Sequence, residues 1–271
     1  MGNPQPKEQS TMLMYSTAKD QPITYEELAK IPTPPARGRF HHPYPFHTYV
    51  DDVTHALKGE GIEVLSQEFA VSKNHQRMFG IMEIGAKPLR DLLEGELITS
   101  KEWQLLVGLR GAHDQKIPRG LVLGSSVTVC SNLCFSGNVG QFRTKQTTNI
   151  GARLPALIRD AVQKIPALAH RQERVFDAYR NVELKPRGGD AALVEVYRRG
   201  ALSTDQLGRA IEQWHDPEFD EHAAEGWSAW RLMNSVTQAL KPVGEHVNMD
   251  LVAHRTQITS KFLDEICHID F

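Results

Sequence analysis

The residues best equipped for chemistry fall in one stretch, Leu109 to Ile150, which reads LRGAHDQKIPRGLVLGSSVTVCSNLCFSGNVGQFRTKQTTNI. His113 beside Asp114 has the make-up of a general base with its orienting carboxylate, or of two metal ligands. Cys130 suits a nucleophile if a histidine base and an electropositive setting reach it, and His113 is the candidate base. Neither pattern is complete. Metal-dependent phosphohydrolases of the His-Asp type need further His and Asp residues on helices, and the remaining histidines show no recognised ligand spacing. The same residues also read as sheet connections. Asp114 then bonds nearby amides in a turn, and Cys130 is a small, half-buried hydrophobe at a strand end. Ser131 and Asn132 would satisfy backbone groups where that strand gives way to a turn. His113, Asp114 and Cys130 are carried forward as candidates, and no catalytic residue, metal ligand or cofactor is assigned.

The last part of the stretch is basic and polar. The loop Ser136 to Gly140 lacks the GKS or GKT ending of a Walker loop, which argues against a nucleotide triphosphatase. Arg143, Lys145 and Thr147, just ahead of a predicted helix N-terminus, nevertheless suit phosphate oxygens. On that helix Arg153, Lys164 and Arg171 recur at close to whole turns, and share one edge with Arg174 if Pro166 preserves the register. From Arg143 to Arg187 there are ten Lys/Arg against four Asp/Glu, so a segment of +6 sits in a chain of net charge −2. Such asymmetry points to an anionic partner or to a solvated helix face. A later stretch, Trp214 to His222, is rich in His and acids, but their irregular spacing suits a solvated loop better than a metal site.

His113-Asp114, Val129-Cys130-Ser131-Asn132, Arg143-Thr144-Lys145 with Thr147 and Asn149, and Trp230 with Asn234-Ser235-Val236-Thr237 form a pattern. Through it, residues 45 to 265 resemble a family of phage- and plasmid-borne proteins of undetermined function that also occurs in prophages. The resemblance implies a mobile-element context and no particular chemistry. Gln146 departs from the pattern, since relatives often carry His ahead of Thr there.

These residues need elements to hold them. Thr24 with Glu27 marks a short capped helix, ended by Pro32, Pro34 and Pro35. Residues 1–40 otherwise read as an extended arm whose end, RGRFHHPY (Arg37 to Tyr44), mixes basic and aromatic groups as nucleic-acid arms do; a lead-in packed on the core is the alternative. A helix is expected from Thr48 to Lys58. Strands are expected over Ile62 to Val71 (interrupted near Ser66), Arg77 to Ile84, Trp103 to Arg110 and Leu121 to Cys130. Helices follow over Arg153 to Asn181, kinked or split by Pro166, and over Asp190 to Arg199, Ser203 to Gln213, Gly226 to Leu240 and Asp250 to Ile266. The fold class is therefore α+β: one helix, an antiparallel sheet of about four strands, then a mostly helical C-terminal half. A single domain is expected over 41–271, sheet-rich to 150 and helical from 151.

Composition sets the remaining bounds. With 40% hydrophobic and 24% charged residues the chain can build a sizeable core. It shows neither a membrane-spanning run nor a signal-peptide core, and Pro6 spoils a myristoylation signal. Three cysteines suit a reducing compartment, so a cytoplasmic protein is expected. The leading expectation is a nucleic-acid-binding accessory protein of a phage or other mobile element, favouring single-stranded DNA and doing no covalent chemistry. The alternatives are a metal- or Cys/His-dependent hydrolase and a module that engages a host or phage protein. A pI of 6.6 argues against a dedicated duplex binder, although a homo-oligomer would concentrate the basic face.

Overall fold

The computed structural model describes residues 20–86, 103–127, 132–134, 142–241 and 249–269. An edge strand, β1 (Asp20–Ile23), leads into a one-turn helix, α1 (Tyr25–Ala29). The expected capping box is present: Glu27 N donates to Thr24 Oγ1 at 3.2 Å and Thr24 N donates to Glu27 Oε2 at 3.0 Å. Leu28 and Ile31 are buried and β1 pairs with the next strand, so residues 20–31 belong to the packed fold and not to an extended arm. The helix expected from Thr48 is α2 (Phe46–Gly59), which buries Phe46, Tyr49, Val50, Val53 and Leu57.

Apolar-rich runs then build four long strands, β2 (Ile62–Ser72), β3 (Arg77–Ala86), β4 (Trp103–Ala112) and β5 (Arg119–Val127). The interruption near Ser66 is a bulge: the register with β3 shifts between Val64 and Ser66, leaving Leu65 exposed. Two three-residue strands, β6 (Asn132–Cys134) and β7 (Phe142–Thr144), both pair antiparallel with β5, at opposite ends of it. Among the described residues the sheet thus has seven strands instead of about four, in the order β1 to β6 with β7 also on β5. The three additional strands are too short to carry a visible alternation. Cys134 lies on a strand of its own and not in the turn closing β5, while Cys130 lies outside the described residues.

One face of the sheet, carrying Met78, Met82, Ile84, Val107, Leu109, Leu121 and Leu123, joins the main core. Phe79, Ile81 and Leu106 alternate onto the other face and are buried as well. The long helix expected over 153–181 is two, α3 (Ile150–Val162) and α4 (Ile165–Asn181), because Pro166 takes a first-turn position where its missing N–H is harmless. Helices α5 (Pro186–Arg198), α6 (Thr204–His215), α7 (Asp220–Ala224), α8 (Ala229–Leu240) and α9 (Met249–Ile266) complete the helical half. Ser203 caps α6 in a reciprocal box with Gln206.

The pattern residues of α8 are structural. Trp230, Asn234, Ser235, Val236 and Thr237 are all buried. Arg231, also buried, donates to the carbonyls of Trp214 and His215, closing the C-terminus of α6, and its guanidinium lies 4.3 Å from the Trp227 ring centroid. Gly189 on α5 allows that packing, since a Cβ there would fall inside the Trp214 indole. Gly189→Ala is therefore expected to cost about 3 kcal/mol or more of unfolding free energy through overpacking, read as a lower urea midpoint.

Candidate functional site

The β5–β7 pairing decides what meets at one end of the sheet. It sets Thr144 opposite Arg119, and Arg143 opposite Gly120. Because Arg119, Leu121 and Leu123 alternate on the core face, the Arg119 side chain points inward, and it is 0% exposed. Its guanidinium sits among three rings, 4.7 Å from the centroid of Tyr49 and 5.6 Å from those of Phe46 and Tyr44. Gly111 leaves room for it: a Cβ at that position would lie 3.1 Å from Arg119 Cζ. Arg119 Nη2 donates to the carbonyl of Tyr44 at 2.6 Å and to Gln146 Oε1 at 3.3 Å, whereas Nε and Nη1 have no hydrogen-bond partner. Burial lowers this group to about 10, so it stays protonated at neutral pH. Burial also raises the Tyr49 hydroxyl, which donates to Gly120 O at 2.8 Å.

Gln146 is the second organiser. It is buried; its Oε1 accepts from Tyr44 N at 2.7 Å as well as from Arg119, its Nε2 donates to Ala112 O, and its own carbonyl accepts from His42 N at 3.0 Å. A neutral imidazole has one ring donor and one ring acceptor, so it matches this set less well than an amide does. Gln146 thus serves two acceptor bonds and one donor bond at once.

His113 and Asp114 do not act as a pair. The His113 ring stacks on Phe46 at 3.9 Å and donates from Nε2 to the Tyr44 carbonyl at 3.1 Å, while Nδ1 has no partner. Burial, assisted by Arg119, lowers His113 to about 4, so it is neutral. Asp114 turns away, to Arg77 Nε at 3.0 Å and to the amide of Lys116 at 3.1 Å. That is the turn alternative, with Asp114 bonding a nearby amide. Among the described residues no group of three or more His, Cys, Asp and Glu side chains could hold a metal ion. In the acidic stretch, His215 Nε2 meets Asp190 at 2.8 Å and His222 is buried beside Phe219.

The basic candidates divide into two groups. Arg143 and Lys145 are exposed on the outward side of β7 and its continuation, Thr147 is half-buried, and Arg153 is exposed in the first turn of α3. The structure sets the Arg37–Tyr44 segment against this loop: Thr148 Oγ1 donates to Arg39 O at 3.2 Å, and Gln146 holds His42 and Tyr44. Asp52 accepts from the Tyr44 hydroxyl at 2.6 Å, and Asp114 pairs with Arg77. Lys164 caps the start of α4, and Arg171 and Arg174 lie on that second helix. Lys164 pairs with Asp160 at 2.8 Å, Arg171 senses Asp264, and Arg174 is exposed.

Comparison with protein-family models, with curated proteins and with solved structures finds no match. No helix among the described residues is long and apolar enough to cross a membrane. The residues that sequence reasoning passed over are Arg119 and Tyr49, and Gln146 was singled out only as a departure from a motif. The signal for Arg119 was its place two and four residues ahead of Leu121 and Leu123, on the buried face of its strand.

His113 also makes a pH prediction. Its folded value lies below that of the unfolded chain, so from pH 6.5 down to about 4 the unfolded state takes up a proton that the folded state refuses. Stability falls with falling pH across that window, by up to about 3 kcal/mol from this group. Denaturant titrations at pH 7 and pH 4.5 are expected to show a smaller loss in His113→Gln than in the unmodified chain.

Proposed function

We propose that this chain binds single-stranded nucleic acid, DNA in the first instance, as an accessory protein of a phage or other mobile element that does no covalent chemistry. The observation that carries the reading is the convergence of two basic stretches far apart in sequence. Arg37 and Arg39 on one segment lie against the loop bearing Lys145, with Arg143 before it and Arg153 one helical turn after it. All five cations are exposed. Exposed cations on a fixed frame suit a phosphate backbone, whose binding releases counterions. The mobile-element context rests on the motif resemblance alone. The divergence of His113 from Asp114 favours this reading over a hydrolase built on that pair.

Polyanion binding of this kind has a salt signature. In a fluorescence-anisotropy titration with a labelled oligothymidylate, affinity is expected to fall as salt rises. The log–log slope should become shallower by roughly 1 to 1.5 in Arg143→Ala/Lys145→Ala, the share of two phosphate contacts on a single strand. Absence of binding at low salt, or a slope unchanged by the double substitution, would refute the proposed surface.

A further inference from the structure

We infer that Phe40 is a base-stacking residue, and that the turn presenting it makes the surface selective for unpaired nucleotides over duplex. This rests on the nucleic-acid reading above and adds the feature recognised, the exposed face of a base. Phe40 is 73% exposed, more than any other large hydrophobic side chain among the described residues. An apolar ring in water does nothing for folding, and here it is not on a loose tail.

The turn is closed by Arg37 N donating to His41 O at 2.9 Å, with Arg37 and His41 bridged antiparallel. Gly38 takes the positive φ of 63° that this tight reversal requires. The turn is anchored to the rest of the fold at two points. His41 is buried with its Nε2 donating to His113 O at 3.2 Å, and Arg39 O accepts from Thr148 Oγ1 at 3.2 Å. Phe40 therefore stands on a fixed hairpin, so little ordering entropy is lost when a planar ligand stacks on it.

The neighbours match such a ligand. The Arg39 guanidinium lies 5.8 Å from the Phe40 ring centroid, and Arg37 and Lys145 are exposed on the segments that meet here. An aromatic platform within reach of cations is the arrangement that binds single strands, with the base on the ring and its phosphates on the cations. A duplex offers only base edges in its grooves, so its bases cannot reach this ring. The cations would still attract a duplex, which separates the two contributions.

The test compares Phe40→Ala and Phe40→Trp with the unmodified full-length chain, using oligothymidylate and a duplex of equal length at fixed salt. Phe40→Ala is expected to weaken single-strand binding on the order of ten- to a hundredfold, the effect of one stacked base, with its salt slope and its duplex binding unchanged. Phe40→Trp is expected to restore single-strand binding, and an oligonucleotide carrying 2-aminopurine should be quenched by the unmodified chain and by Phe40→Trp, but not by Phe40→Ala. Single-strand affinity unchanged in Phe40→Ala, or an equal loss on duplex, overturns the stacking role and leaves the cationic surface standing. Failure of the unmodified chain to bind either nucleic acid at low salt overturns both.

Discussion

A buried positive charge is the constraint around which this end of the molecule is arranged. Arg119 carries its guanidinium into the core face of the sheet, and burial lowers its pKa without neutralising it. A cation without a partner in such a place is costly. Here the compensation comes from neutral groups: three aromatic faces, the carbonyl of Tyr44 and the amide oxygen of Gln146. Each comes from a different part of the chain. Tyr44 ends the stretch that leads into α2, Phe46 and Tyr49 lie on α2, and Gln146 lies between β7 and α3. Surrounding one guanidinium therefore ties the lead-in segment, the first long helix and the basic loop to the start of β5.

That tie explains why a basic turn and a basic loop share a surface. Gln146 binds Tyr44 N and His42 N with its side chain and backbone, and His113 adds a bond to the Tyr44 carbonyl. The side chains that look catalytic in the sequence are spent on this work. His113 is neutral and stacked, and Asp114 fixes a turn through Arg77 and Lys116 N. What they support is a rigid outer rim on which Arg39, Phe40 and Lys145 stand free of the core.

Most of the large-scale architecture was legible in the sequence. The four long strands follow from apolar-rich runs set off by polar turns, both capping boxes form as their spacing requires, and the irregularity at Ser66 is a real bulge. The short strands β1, β6 and β7 were not legible, because three or four residues cannot display a period and their pairing is decided by distant partners. The consequence for the site is large. Without the β5–β7 pairing, nothing in the chain says that Arg143 lies across from Gly120 or that Gln146 reaches Tyr44. Pro166 splits the basic helix in two, as its place in the sequence implies, and Lys164, at the start of the second, pairs with Asp160 across the break.

The central claim is spatial, namely that nucleic acid contacts the turn at Arg37–His41 together with the loop around Gln146. Ultraviolet cross-linking of the full-length chain to a 4-thiothymidine oligonucleotide, followed by peptide mapping, tests it most directly. The account predicts cross-links concentrated in peptides covering residues 37–44 and 143–153, lost in competition with unlabelled single strand. Cross-links confined to α4 or the rest of the helical half would contradict it.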